Sequence, residues 1–319
     1  MESCNKPKPT NDSNAADYNG EDVNNRKQND THGDGKRPIQ LQLEENTHTN
    51  IGHIPWKIIL QNARGLVTEN SNKGLETIKE YAKDEKILLM NITETWFHKT
   101  IKEEVNIDGY NIYRCDRKEK QRGGTAIYLQ EKVEAEQICE ISHKKCEMVA
   151  INIPELQTIN IVVYRPPGTK KKVFDVILDE IEKIYKNIKK PEPTIILSGD
   201  FNFPFVKWNR MPSGGCTWRY KTRTNATQDE KIQFIKLMKI CDEQCMLQVI
   251  EEETRGKNTL DLIYTNETGI VSDIDVNKTA ISDHSRIEIS TNYRIKEEKI
   301  HQNTNETNDT MKSLNFHAK

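Results

Sequence analysis

Short apolar runs rich in β-branched residues recur through the middle of the chain, each bounded by polar or turn residues. Runs at 57–60, 87–92, 125–129, 146–153, 160–164, 194–197, 260–264 and 286–290 predict strands, most being too short for helices. A second rhythm, at helical spacing, marks one apolar face on each of three segments. These are Leu75, Ile78 and Ala82; Val173, Val176, Ile177, Ile181, Ile184 and Ile188; and Ile232, Ile235, Met238 and Cys241. Helices separate some strands and not others, because 125–164 reads as strand after strand. The pattern therefore predicts an α/β protein, a four-layer sandwich of two mixed β-sheets flanked by helices, rather than a strictly alternating parallel sheet.

The flanks break this rhythm. Residues 1–52 hold few large apolar side chains and are crowded with Asn, Asp, Lys, Gln and Thr, and residues 295–319 share that character. Neither can bury enough surface to offset its ordering entropy, so disordered polar tails are expected around one domain at 53–294. No run approaches the roughly 20 apolar residues that cross a bilayer, and no apolar segment resembles a signal peptide. A soluble, unsecreted protein of nucleus or cytoplasm is expected, with no membrane partner. Seven cysteines, an odd number without framework spacing, fit a reducing compartment. Cys241 and Cys245 share a helical face, but no second pair stands at zinc-like spacing, so packing is the expected role. With a formal net charge of -2, attraction to nucleic acid must come from a local basic surface.

Carboxylates and amides cluster where the strands run out. Asn62 follows the first apolar run, Glu94 the second, and Asp200 and Asn202 the run at 194–197; Asp283 and His284 precede the last strand. In α/β proteins such ends converge on a crevice, so separate segments can place oxygen ligands and a histidine around one centre. Phosphodiester cleavage needs such a set. Water must be aligned, negative phosphoryl oxygens offset and the departing alkoxide stabilised. Mg²⁺, with Mn²⁺ as the alternative, prefers hard oxygen ligands, which suits Glu94 with help from Asn62. Asp200 can orient water, and His284, kept cationic by Asp283 or Asp261, can face the phosphoryl oxygens. Singly, Gly-Asp-Phe-Asn is an ordinary turn and Ser-Asp-His an ordinary cap or loop. Jointly they point to a metal-dependent hydrolase.

In this order the residues resemble the endonuclease/exonuclease/phosphatase superfamily. The motifs are Gln61-Asn62-Ala63-Arg64-Gly65-Leu66, Thr93-Glu94-Thr95-Trp96, Val163-Tyr164-Arg165-Pro166-Pro167, Ser198-Gly199-Asp200-Phe201-Asn202, Leu260-Asp261-Leu262-Ile263 and Ser282-Asp283-His284. With Gly123-Gly124-Thr125-Ala126 and Thr254-Arg255-Gly256 added, the spelling is similar to the endonuclease domain of non-LTR, LINE-like retrotransposons. The resemblance implies a deoxyribonuclease I-like fold and Mg²⁺-dependent nicking of one DNA strand, leaving a 3′-hydroxyl that primes reverse transcription. It puts Asn62 and Glu94 at the metal, Tyr164 and Asn202 on the phosphate, Asp200 on the water, and Asp261 and Asp283 around His284. Thr254 matches a DNA-contacting threonine, and Arg64 and Arg165 are the cations within the motifs expected beside it. One departure, Phe203-Pro204-Phe205-Val206-Lys207-Trp208 after Asn202, leaves the geometry of that loop open. Such domains are normally joined to a reverse transcriptase, for which the residues after His284 are too few. A reverse transcriptase domain or the element RNA is thus an expected partner outside this chain.

Residues 207–224 supply separate support for DNA. Lys207, Arg210, Arg219, Lys221 and Arg223 stand there without an acidic residue, interleaved with Trp208, Trp218 and Tyr220. Cations neutralise phosphates while rings pack on sugars or bases. A second cluster, Arg114, Arg117, Lys118, Lys120 and Arg122, also holds Asp116 and Glu119 and reads equally as a solvated turn. The stretch 255–260 is expected to form a short turn beside the groove. Other activities fit the same centre: a phosphoesterase acting on RNA, abasic DNA or small phosphoesters, or a catalytically decayed nucleic-acid-binding module.

Overall fold

The computed structural model describes residues 56–68, 71–98, 105–118, 122–188, 191–210, 218–222 and 226–293. The expected tails and the domain limits at 53 and 294 lie outside the described residues. One sheet contains β1 (Trp56–Asn62), β2 (Ile87–Thr93), β3 (Tyr110–Cys115), β4 (Thr125–Gln130), β13 (Val271–Asn277) and β14 (Arg286–Thr291), in the order β13-β14-β1-β2-β4-β3. The other contains β5 (Glu136–His143), β6 (Cys146–Ile153), β7 (Thr158–Tyr164), β8 (Thr194–Asp200), β11 (Leu247–Gln248) and β12 (Asp261–Thr265), in the order β11-β12-β8-β7-β6-β5. A separate hairpin pairs β9 (Val206–Arg210) with β10 (Trp218–Thr222).

Two strand pairs, β1 with β2 and β7 with β8, are parallel. Parallel neighbours need a crossover, and each pair has its helix: α1 (Lys73–Tyr81) and α2 (Lys171–Lys186). A third helix, α3 (Gln228–Glu243), packs beside α2 and begins with a capping box between Thr227 and Glu230.

Period-two alternation sorts the apolar residues into layers. Ile59, Met90 and Ile92 pack with Leu75 and Ile78 of α1 on one outer face. Met148, Ile161, Val163 and Leu197 pack with Phe174, Ile177 and Leu237 of α2 and α3 on the other. Between the sheets, Ile58, Leu60, Leu89 and Ile127 meet Val149, Ile151, Val162, Ile196 and Ile263. The sandwich has the four layers the pattern predicts. Each of these side chains contributes about 1.5–3 kcal/mol by leaving water.

The apolar stripe of α3 is displaced from its expected position. Phe234, Leu237, Met238 and Cys241 are buried, whereas Ile235 is 61% exposed. The helix is turned by the aromatic cluster of Phe203, Phe205, Trp208 and Tyr220, all of which approach Phe234 edge-on. That cluster also explains the apolar departure after Asn202: Phe203 and Phe205 seat the β9–β10 hairpin on the helix. Strands β3, β5, β11 and β13 were not expected, nor was the β9–β10 hairpin, since 207–224 reads as a loop. The first four lie at sheet edges, where water on one side erases the apolar signature; β13 reads Val-Ser-Asp-Ile-Asp-Val-Asn.

The same alternation places the polar residues. Along β1, Ile58 and Leu60 face the other sheet and Asn62 is next in file; along β8, Ile196 and Ser198 lead to Asp200; along β12, Ile263 is two residues from Asp261. Register aligns these ends, since Glu147 pairs with Tyr164, Tyr164 with Asp200, and Asp200 with Asp261. In the facing sheet Asn62 pairs with Thr93, and Thr93 with Thr125. One end of the inter-sheet core is therefore polar.

Candidate active site

At that end Asn62, fully buried, joins the two sheets. Its Nδ2 donates to Glu94 Oε1 at 3.1 Å and to Asp200 Oδ2 at 2.9 Å, while its Oδ1 accepts the backbone N–H of Arg64 at 3.1 Å. Glu94 thus faces the pocket that holds Asp200. Its other oxygen accepts Trp96 Nε1–H at 3.1 Å. As oriented, Asn62 gives N–H groups to both carboxylates and sets their aim, leaving Glu94 as the oxygen donor of the expected metal pair.

Asp200 ends β8 and is completely buried. Its Oδ1 accepts the Asn202 backbone N–H at 3.1 Å, and Asn202 Nδ2 in turn donates to the Arg165 carbonyl at 3.0 Å. Burial pushes the Asp200 carboxyl well above the usual range, with Asp261 and Glu94 adding to the rise and His284 and Asn62 opposing it. His284 Nδ1 lies 2.7 Å from Asp261 Oδ2, both groups being 1% exposed. Burial alone would depress the imidazole, but Asp261, seconded by Asp200, outweighs it and raises His284 above its ordinary value. Tyr164 is buried beside them, and burial, reinforced by Glu94 and Asp200, holds its phenol protonated. Arg64, Glu94, Trp96 and Asn202 all adopt positive φ, at 46°, 52°, 57° and 48°. Left-handed backbone costs non-glycine residues about 1–2 kcal/mol each, so the loops of this pocket carry strain that the surrounding core must hold.

Asp200, Asp261 and His284 each bring one ligand atom within 4.8 Å of the others, a spacing that a metal ion can bridge. The His284–Asp261 hydrogen bond occupies one edge of that triangle. The donor set still fits a hard cation. Glu94, Asp200 and Asp261 gather three carboxylates around a single imidazole, and Asp261 Oδ1 is buried without a hydrogen-bond partner.

Several expected residues serve elsewhere. Asp283 does not hold His284. Its Oδ1 lies 2.8 Å from Arg64 Nη1, and its Oδ2 lies 2.8 Å from both Arg255 Nε and Arg255 Nη2. Arg165 cannot touch DNA, being fully buried: Nε donates to Gln233 Oε1 at 2.8 Å, and Nη1 donates to the carbonyls of Phe201 and Asn202 at 3.1 and 3.0 Å. Burial lowers its pKa to about 10, and its guanidinium lies 4.3 Å from the Phe203 ring centroid. It fixes the turn that carries Asp200 and Asn202. Thr254, 1% exposed, is also removed from DNA, because its hydroxyl accepts the backbone N–H groups of Leu260 and Asp261 at 2.9 and 3.1 Å. Trp208 is 8% exposed and packs on Phe234 and Tyr264, so it is not a stacking platform for bases.

The other DNA candidates divide between seen and unseen. Lys207 and Lys221 are exposed and stand directly opposite each other in the hairpin. Arg223 and the side chains of Arg210, Trp218 and Arg219 lie outside the described residues. In the second basic cluster, Arg117 makes an ion pair with buried Glu147, its Nε 2.7 Å from Oε1, and lies over the Tyr164 ring at 5.6 Å. Sequence reasoning gave Glu147 and Trp96 no role. The signal for Glu147 was a carboxylate at an inward position of an apolar strand; for Trp96 it was the Thr93-Glu94-Thr95-Trp96 spelling itself.

Residues 158–288 match the family model described as endonuclease-reverse transcriptase, a span with Tyr164, Asp200, Asn202, Asp261, Asp283 and His284 inside it. Among curated protein sequences nothing matches. An AP endonuclease from Archaeoglobus fulgidus superposes with a TM-score of 0.51 at 16% identity, covering 74% of this chain and 99% of its own. A 3'-5' exonuclease (NExo) from Neisseria meningitidis gives 0.53 at 13%, with 74% and 99% covered. The endonuclease domain of TRAS1, a telomere-specific non-LTR retrotransposon, gives 0.49 at 12%, with 74% and 98% covered. This chain has the fold of the endonuclease/exonuclease/phosphatase superfamily, and the resemblance read from its motifs holds.

Proposed function

We propose that this chain is a divalent-metal-dependent DNA endonuclease that nicks one strand by in-line attack of water on a phosphodiester, as in target-primed retrotransposition. The observation that carries the reading is the charge balance of the buried pocket. Glu94, Asp200 and Asp261 face a single imidazole, a set that drives Asp200 toward its neutral form and can be ionised together only around a cation. Mg²⁺ or Mn²⁺ at Glu94, when bound, offsets the charge on the phosphoryl oxygens and the departing alkoxide and draws Asp200 toward its ionised form.

The protein's own groups supply the rest. Asp200, fixed by Asn62 and the Asn202 backbone, orients the attacking water. His284, held cationic by Asp261, and Tyr164, held protonated, give two donors for the phosphoryl oxygens. Asn202, braced on Arg165, completes the phosphate side. Lys207 and Lys221 support DNA as the substrate, since like charges directly opposite in a hairpin repel each other unless an anion lies across them. DNA in the nucleus is the matching place of action, and a reverse transcriptase outside this chain the matching partner.

Supercoiled plasmid incubated with Mg²⁺ should become open-circular, and Glu94→Ala, Asp200→Ala and His284→Ala should each abolish the conversion with folding intact. Full activity in Asp200→Ala rejects the assignment. The same centre on other loops would serve another phosphoester, which the exonuclease among the similar structures illustrates. Intact duplex, abasic duplex, single-stranded RNA and a phosphoinositide, compared under one set of conditions, decide among them. Salt-sensitive DNA binding without cleavage across several divalent metals would identify a decayed module instead.

A further inference from the structure

Beside the buried pocket the catalytic segments meet a second time, at the surface. Arg64 belongs to the loop that follows Asn62, Arg255 to the turn that follows Thr254, and Asp283 immediately precedes His284. Their side chains are 47%, 39% and 43% exposed, and Asp283 receives both arginines, one on each carboxylate oxygen. Two guanidinium groups against one carboxylate leave one positive charge in excess. The arginines are also anchored from below. The Arg64 N–H is bound by Asn62 Oδ1, and the Arg255 turn is pinned by the reciprocal Arg255–Asn258 backbone bonds and by Ser285 N–H donating to the Thr254 carbonyl at 2.7 Å. Ion pairs this exposed are held weakly in water, so another anion of the same shape can take the place of the carboxylate. A phosphodiester carries two non-bridging oxygens that share one negative charge, and two guanidinium forks match that pair of acceptors.

We infer that Arg64 and Arg255, held ready by Asp283, form a seat for a backbone phosphate of the DNA other than the scissile one. The inference rests on the nuclease reading for its ligand, but its test does not depend on catalysis. Asp283 is then a positioning residue, an internal anion that keeps two flexible cations ordered at the mouth of the site until substrate replaces it.

Equilibrium binding of a fluorescently labelled duplex, measured by anisotropy in EDTA across a salt series, reads the seat directly. Arg64→Ala/Arg255→Ala should weaken binding by about tenfold at low salt. It should also make the plot of log affinity against log salt shallower by about 0.9, the loss of one neutralised phosphate. Lys183→Ala, on α2 away from the triad, should keep the wild-type slope. In parallel, turnover of bis(p-nitrophenyl) phosphate, which has a single phosphate, reports the catalytic centre alone. If the triad only ties three loops together, the double variant loses that turnover and keeps the wild-type salt slope, which overturns the seat. A wild-type protein that does not bind duplex overturns it too. Failure of the wild type to cleave either substrate sinks the nuclease reading, while the slope comparison still decides the seat.

Discussion

His284 shows how a residue acquires its chemistry from its neighbours. Burial alone would leave the imidazole neutral, and Asp261 at 2.7 Å reverses that. A rate that needs the imidazolium should therefore persist above the ordinary histidine value and fall only as pH rises through the raised one. Asp261→Asn removes the carboxylate, so the alkaline limb should move to lower pH and turnover should drop by about 10²-fold or more, read from kcat against pH. A limb that stays in place would mean another group titrates. The histidine and its acid were legible from their motifs, but which of two acids served it was not. Asp283 is adjacent in sequence and Asp261 is adjacent in space. Arg165 was misread for the reverse reason: nothing in Tyr164-Arg165-Pro166 reveals that a long cation is swallowed whole to bind the Phe201 and Asn202 carbonyls.

At the scale of the element, strands paired on both sides are readable and edge strands are not, because an interior strand keeps at least one sustained apolar face while an edge strand meets water. Gly199 carries a further constraint that no periodicity records. It lies in β8 opposite Val163 of β7 with φ at 146°, and a Cβ there would stand 1.9 Å from the Val163 carbonyl oxygen. Backbone on backbone cannot yield as a side chain can, so Gly199→Ala must displace the strand that ends in Asp200. We expect a loss of about 3 kcal/mol or more in urea unfolding, with a large fall in turnover. Gly168, also at positive φ but with open space where its Cβ would be, should lose only about 1 kcal/mol as Gly168→Ala. Equal losses at the two positions would show that φ, and not the close approach of β7, is what glycine serves at 199.

For the whole molecule the decisive relation is the alignment of one sheet on the other. The Asn62–Asp200 and Asp261–His284 bonds both cross from one sheet, or the loop feeding it, to its partner, so the centre exists only while the two are in step. Hydrophobic packing is non-directional and fixes that alignment loosely. A buried polar knot fixes it further. Asn91 of β2 and Asn160 of β7 exchange amide hydrogen bonds, Asn91 Nδ2 donating to Asn160 Oδ1 at 3.1 Å and Asn160 Nδ2 to Asn91 Oδ1 at 2.9 Å, and Asn91 also donates to Ser198 Oγ of β8 at 2.9 Å. The knot lies directly in file with the site, two residues before Thr93 and two before Asp200. Asn91 stands out as a polar residue inside an apolar run, but its meeting with Asn160 and Ser198 across the sandwich is not legible, because pairing between sheets leaves no periodicity in either. Asn91→Ala should cost about 2–4 kcal/mol by stranding the Asn160 amide in a dry core. Asn91→Ala/Asn160→Ala, which removes both partners, should cost clearly less than the sum of the single changes. Urea unfolding of the four proteins gives that coupling. If the knot sets that alignment, Asn91→Ala, though it leaves every site residue in place, should also lower kcat at temperatures where the variant remains fully folded. If kcat is unchanged there, the knot stabilises the sandwich without setting the register of its catalytic end.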